Sequence, residues 1–288
     1  MFQKREFSVL MTIVVVTAIH LSCLTIYWVG WSWAAVITAI VMYQIRGFGI
    51  TGVYHRYFSH KSYKTSRWFQ FLLALWGCSA LQGTPIEWSR NHRHHHRYSD
   101  QPEDLHSPRQ RGFWWAHIGW MLSMKNEVPE QSVKDIEKYP ELRATAYLQI
   151  IPILAVPLFC YWLGEALGPE YHTSGWQMLV WGFCVSTVIL WHVTYSINSL
   201  THIWGKQRFK TGDDSKNSFL LGLLALGEGW HNNHHRYPGS CRQGFYWWEI
   251  DTTYYVLKLF EKLGLVWDVR KPPERIYSEA EHGSKQAA

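Results

Sequence analysis

Residues 7–45 read FSVLMTIVVVTAIHLSCLTIYWVGWSWAAVITAIVMYQI, and no lysine or arginine occurs between Arg5 and Arg46. The stretch divides into an apolar run from about Ser8 to Tyr27, a tryptophan-rich turn around Trp28 to Trp33, and a second run from about Ala34 to Ile50. Each run is close to the roughly 20 residues that cross ~30 Å of hydrocarbon as a helix. A second cation-free stretch, between Arg143 and Lys206, repeats the arrangement with runs at about Ala146 to Gly168 and Trp176 to Ile197. The connector between them holds Glu165 and Glu170 but no cation. All 28 basic residues fall in three blocks: Lys4 with Arg5, fourteen from Arg46 to Arg143, and twelve from Lys206 to Lys285.

This segregation predicts an all-α membrane protein with four transmembrane helices in two hairpins, over about 8–28, 32–52, 146–168 and 176–198. The polar segments 53–145 and 199–288 then form a helical cap, and 1–288 reads as one integral-membrane domain. Basic loops stay in the cytoplasm, so both termini and the cap are expected on that side. The aromatic residues at Tyr27 to Trp33 and Trp162 to Trp176 fit an interfacial belt on the other. Core helices of a soluble α-protein do not usually leave such long stretches without cations. Lys4 and Arg5 could open a signal peptide, but the run is long and another follows at once, as in a retained anchor. The short apolar stretches Phe69 to Gln82 and Phe219 to Leu226 read as interfacial or buried segments.

Composition agrees. Of 288 residues 47% are hydrophobic and 18 are tryptophan, which excludes disordered and low-complexity chains. The mean hydropathy of −0.18 averages over segregated halves. Cys23, Cys78, Cys160, Cys184 and Cys241 show no paired spacing, so neither a disulfide framework nor a thiolate metal site is indicated. No nucleic-acid partner is expected.

Histidine carries the chemistry. Of sixteen, most lie in the polar blocks: His55-Arg56-Tyr57-Phe58-Ser59-His60 where the second span runs out, His92-Arg93-His94-His95-His96, and His231-Asn232-Asn233-His234-His235. His202 follows Asn198 by four positions at the exit of the fourth span. On a helix, positions three and four apart share a face. His92, His95 and His96 thus form one patch and His231, His234 and His235 another, while His94 points away. Adjacent members diverge by ~100°, so each patch suits two neighbouring ions. His55 and His60 stand ~140° apart on a regular helix, so either the helix end distorts or the two serve different ions. Nine imidazoles and one amide exceed the needs of one ion, and neutral imidazole suits Zn, Cu, Fe or Ni.

These boxes, with Glu87-Trp88, Gly112 to Trp120, Asn198 to His202 and Gly227-Glu228-Gly229-Trp230, resemble the membrane fatty acid desaturases, in particular the acyl-CoA (stearoyl-type, Δ9) desaturases and their bacterial relatives. The likeness covers about residues 35 to 272. It implies that His55, His60, His92, His95, His96, His202, His231, His234 and His235 hold two iron ions, with Asn198 acting through a water. It implies an O2-dependent enzyme that leaves a cis double bond in a saturated long-chain acyl group, carried as acyl-CoA, acyl-lipid or on acyl carrier protein. Recombinant protein is expected to accept Zn in place of Fe(II). Carboxylates should orient the imidazoles, with Glu87, Asp100, Asp104, Asp213, Asp214 and Glu228 as candidates. Gln82 and Trp88 resemble positions near the mouth or bend of the acyl tunnel. Arg90 and Lys125 sit where relatives contact coenzyme A phosphates, or else face anionic lipid.

Gly47-Phe48-Gly49-Ile50-Thr51-Gly52 matches the dinucleotide fingerprint but follows a span rather than a strand, so its glycines read as close-packing positions. With no haem, iron–sulfur or flavin motif, electrons are expected from a separate donor such as ferredoxin, rubredoxin or cytochrome b5. A hydroxylase or acetylenase on the same scaffold, and a non-catalytic metal carrier using His20 and His192, are the rival readings.

Overall fold

The computed structural model describes residues 2–123 and 133–279. Among the described residues, four helices are long and apolar enough to cross a membrane: Glu6–Val29, Trp33–Ser59, Ile150–Tyr171 and Gly175–His202. None of the first helix's apolar window is buried within the protein, and 11% of the third's, against 56% for the second and fourth. The second and fourth are therefore the inner pair. The first and third present residues such as Leu10 and Leu158 outward, 54% and 68% exposed. Apolar surface of that extent needs a covering, and a bilayer supplies it.

The second helix differs from expectation in where it ends. Its α-helical part, Trp33–Phe48, continues without a break as a π-helix, Gly49–Ser59. The first histidine box therefore begins inside the helix: His55 lies in its π-helical part, and His60 follows its last residue. Glycines make the close approach possible. A Cβ on Gly49 would meet the Gly77 backbone at 3.1 Å, and one on Gly52 would meet the Phe48 ring at 2.6 Å. The fourth helix has a π-helical stretch of its own, Val180–Val185, between Gly175–Leu179 and Ser186–Ser199.

Two arginines sit buried within the second helix, each held by several polar partners. Arg46 donates to the Ser79 carbonyl at 2.8 Å and to Ser186 and Thr187 at 3.1 and 2.8 Å. Arg56 pairs with Glu228 at 3.0 Å and Asp251 at 2.8 Å. A cation inside such a helix is tolerated only when paired this way. The intramembrane histidines also find partners. His20 Nε2 lies 3.0 Å from His192 Nε2, and His192 Nδ1 lies 2.9 Å from His117 Nε2.

The polar segments fold into short helices over the inner pair. Helix Pro85–Tyr98 starts at a capping box, with Thr84 and Glu87 bonding each other's backbone and Pro85 at the first turn, and so presents His92, His95 and His96 in register. Helix His231–Arg236 has six residues, too few to be stable alone. Its asparagines clamp it. The Asn232 amide oxygen accepts from the backbone of Arg208 and Phe209 at 2.7 Å each, and Asn233 donates to Glu249 at 2.9 Å. The apolar stretches read as short segments are helices Arg67–Cys78 and Phe219–Leu224. Strands Lys64–Thr65 and Val266–Trp267 pair antiparallel and tie the first box's exit to the C-terminal segment.

Candidate metal centre

The three boxes and His202 converge. Ring nitrogens of His55, His60, His92, His96 and His234 gather within 4.8 Å of one another, and those of His95, His202, His231 and His235 form a second group on the same criterion. The second and third boxes are each divided as their helical faces require, with His96 and His234 in one group and their neighbours His95 and His235 in the other. His55 and His60 join the same group because the π-helix distorts as one of the two sequence alternatives allowed. Its ladder runs from residue i to i+5, which stacks residues five apart. His94 points outward to the Glu103 carbonyl at 2.9 Å.

Carboxylates fix the ring orientations. His55 Nδ1 lies 2.5 Å from Glu228, His95 Nδ1 3.0 Å from Asp104, His202 Nδ1 2.8 Å from Asp100 and His235 Nδ1 2.6 Å from Asp213. A proton held on Nδ1 leaves the Nε2 lone pair for the cluster. Nε2 of His95 and of His235 is buried with no partner, as a nitrogen awaiting an ion would be. Four of the six proposed orienting acids therefore do touch ligand-box histidines. The other two do not. Glu87 serves the helix cap, and Asp214 pairs with Arg109 near the surface.

Electrostatics keep six of the nine donors neutral. Burial, then neighbouring imidazoles, hold His60, His92, His96, His231 and His234 well below the ordinary histidine range. Burial also brings His235 down to about 4 against the pull of Asp213. His95 is the exception: burial lowers it, but Asp104, Asp100 and Asp213 together outweigh burial and raise it. Burial would raise the carboxyls of Asp100, Asp104 and Asp213, yet their histidine partners hold each well below the usual carboxylate range. Nine imidazoles in two adjoining groups, six of them held below the ordinary histidine range, fit a pair of borderline divalent ions better than hard ones.

A narrow cavity of about 50 Å³ runs between the inner spans to these rings, bordered by Gly47, Leu190, Val193, Ile197 and Leu226 on its apolar side. His55, His92, His95, His231 and Asn198 face its inner end. It has room for only a few water-sized groups, so a chain entering it must part these side chains. Trp88 also lines it and stacks on His92, ring centroids 4.8 Å apart. Gln82 accepts from Trp88 Nε1 at 3.3 Å and donates to Thr194 at 3.1 Å, linking this wall to the fourth helix. Arg90 is paired with Glu137 at 2.8 Å. Lys125 lies outside the described residues.

Sequence reasoning passed over His106 and Arg56. His106 is buried and stacked on His95 with centroids 4.3 Å apart, two residues beyond the acid that orients that ring. Its proximity to Asp104 was the available signal. Arg56 lies between two box histidines, where a buried cation implies nearby carboxylates.

The fatty acid desaturase family model matches residues 7–270. The chain belongs to the fatty acid desaturase family, whose members are oxidoreductases. Among similar proteins is a palmitoyl-monogalactosyldiacylglycerol delta-7 desaturase of Arabidopsis thaliana, 41% identical over 84% of this chain and 64% of that protein's length. An acyl-CoA 5-desaturase of Anemone leveillei is 39% identical over 91% of this chain and 79% of its own. An sn-1 stearoyl-lipid 9-desaturase of Synechocystis sp. is 38% identical over 90% and 79%.

Proposed function

We propose that this chain is an O2-dependent fatty acyl desaturase that introduces a cis double bond at the Δ9 position of a long-chain acyl group carried by lipid or by coenzyme A. The observation that carries it is the pair of adjoining histidine clusters at the inner end of an apolar cleft between two membrane helices. The relatives named for lipid-linked and coenzyme A-linked substrates support the acyl class, and the stearoyl-lipid 9-desaturase supports Δ9.

Two irons held by the nine histidines would supply the oxidising power that, with O2, removes hydrogen from two adjacent methylenes. The protein's own part is positional. Glu228, Asp104, Asp100 and Asp213 keep protons on Nδ1 of His55, His95, His202 and His235, so that Nε2 faces inward. Asn198, facing the same end of the cavity, adds an amide to the four-histidine group through a water. Trp88, braced by Gln82, forms the wall against which the chain bends. Arg90 and Lys125 meet the polar head. Electrons come from a separate protein such as ferredoxin, rubredoxin or cytochrome b5. The four spans form two hairpins with both termini and the metal centre on the cytoplasmic side, a reading the charge distribution supports.

The test is expression in cells that make no unsaturated fatty acids, with the double bond located by mass spectrometry. A cis-Δ9 monoene is expected. A hydroxylated product would move the chain to a hydroxylase reading, and a monoene at another carbon would overturn the regiochemistry alone.

A further inference from the structure

A second cavity, of about 340 Å³, lies behind the first histidine box. Its wall includes Tyr57 and Phe58, two of the four π-helical residues between His55 and His60, so it backs onto the metal centre without opening into it. The volume is in the range of small-molecule sites. Among the described residues four cations line it, Lys61, Lys64, Lys138 and Arg270, against one carboxylate, Asp135. Lys61 is committed to Asp135 at 2.7 Å and Lys64 to Asp268 at 2.7 Å. Lys138 instead sits over the Tyr139 ring at 5.0 Å, and neither it nor Arg270 has a carboxylate partner among the described residues.

A buried donor in the same cavity is also unanswered. Gln70 is 7% exposed, and its amide oxygen accepts from Tyr57 at 2.8 Å, but its Nε2 has no partner. Leaving such a donor buried and unpaired is costly, and a ligand oxygen would relieve it. Unpaired cations beside an unanswered amide define a site for a phosphate ester.

The surroundings point to a lipid as the source. Gln70 belongs to helix Arg67–Cys78, whose Trp68 is 61% exposed, and this helix packs against helices Pro140–Leu148 and Ile150–Leu167. Tyr147, at the approach to the third span, is 83% exposed. Through Gln70 and Leu142 the cavity therefore adjoins helices that lead onto the apolar surface of the spans, the level at which basic pockets between helices take lipid headgroups. We infer that it binds the phosphate of an anionic phospholipid, with Lys138 and Arg270 on the phosphate and Gln70 donating to an ester or phosphate oxygen.

The experiment uses the full chain in a neutral detergent, titrated with dioctanoyl phosphatidylglycerol, dioctanoyl phosphatidylcholine and glycerol 1-phosphate, and read by native mass spectrometry. One phosphatidylglycerol should bind saturably per chain, more tightly than phosphatidylcholine, and glycerol 1-phosphate should not displace it. The double variant Lys138→Gln with Arg270→Gln should weaken binding by about tenfold or more. Gln70→Leu should weaken it as well, and if that variant does not fold the double variant carries the test. Absence of saturable binding, equal affinity for the two lipids, or an unchanged double variant would overturn the site. Displacement by glycerol 1-phosphate would overturn the lipid assignment in favour of a soluble phosphate ester.

Discussion

The His60 backbone N–H donates to the His55 carbonyl at 3.2 Å, and the two imidazoles stand with their centroids 4.9 Å apart. That i to i+5 bond ends an eleven-residue π-helix and brings two rings into one cluster that a regular helix would hold apart. A stretch of π-helix this long is uncommon, and such distortions concentrate at functional sites.

Metal content checks the clustering directly. Elemental analysis of gently purified protein should give two ions per chain. His60→Ala should lower that figure and abolish desaturation. His94→Ala, altering an outward ring, should retain both ions and substantial activity.

The orienting acids should separate from the surface ones. Asp104→Asn removes the negative charge that holds the His95 ring, and should reduce metal affinity or activity by about 10- to 100-fold. Asp214→Asn breaks only the exposed pair with Arg109, so its stability should stay within about 1 kcal/mol of wild type, with metal content unchanged. Chelator competition and turnover measured on the two variants give the comparison.

Arg56 offers a stability test. Arg56→Gln strands the buried carboxylates Glu228 and Asp251 and should cost about 3–5 kcal/mol. A marked fall in thermal midpoint in detergent is the expected sign. Metal loading should fall with it, since Glu228 also holds His55. A midpoint unchanged from wild type would contradict the ion-pair account.

Sidedness can be read by labelling. In a cysteine-free background, Glu170→Cys should react with an impermeant maleimide applied to intact cells, and Lys210→Cys only after permeabilisation. Both positions are exposed. The reverse pattern would invert the orientation.

How far the residues alone led depended on the range of the forces involved. The four spans were legible because exclusion of charge from hydrocarbon is written along consecutive positions. The division of His92, His95 and His96 between two clusters was legible because helix geometry is local. The π-helix was visible only as an alternative at His55 and His60, since its packing against Gly77, distant in sequence, leaves no mark in the local pattern. Long-range pairing explains the misses too. Asp251 meets Arg56 across 195 positions, and no spacing rule reaches that far. Glu87 looked like an orienting acid because of its neighbours, whereas its backbone role at Thr84 claimed it.

The adjacent pairs His95–His96 and His234–His235 carry a mechanical implication. Each sends one ring to either group, so the gap between the two groups is gauged by single peptide steps of about 3.8 Å on two separate helices. Breathing of the membrane bundle would carry both groups along together while leaving their mutual spacing almost untouched.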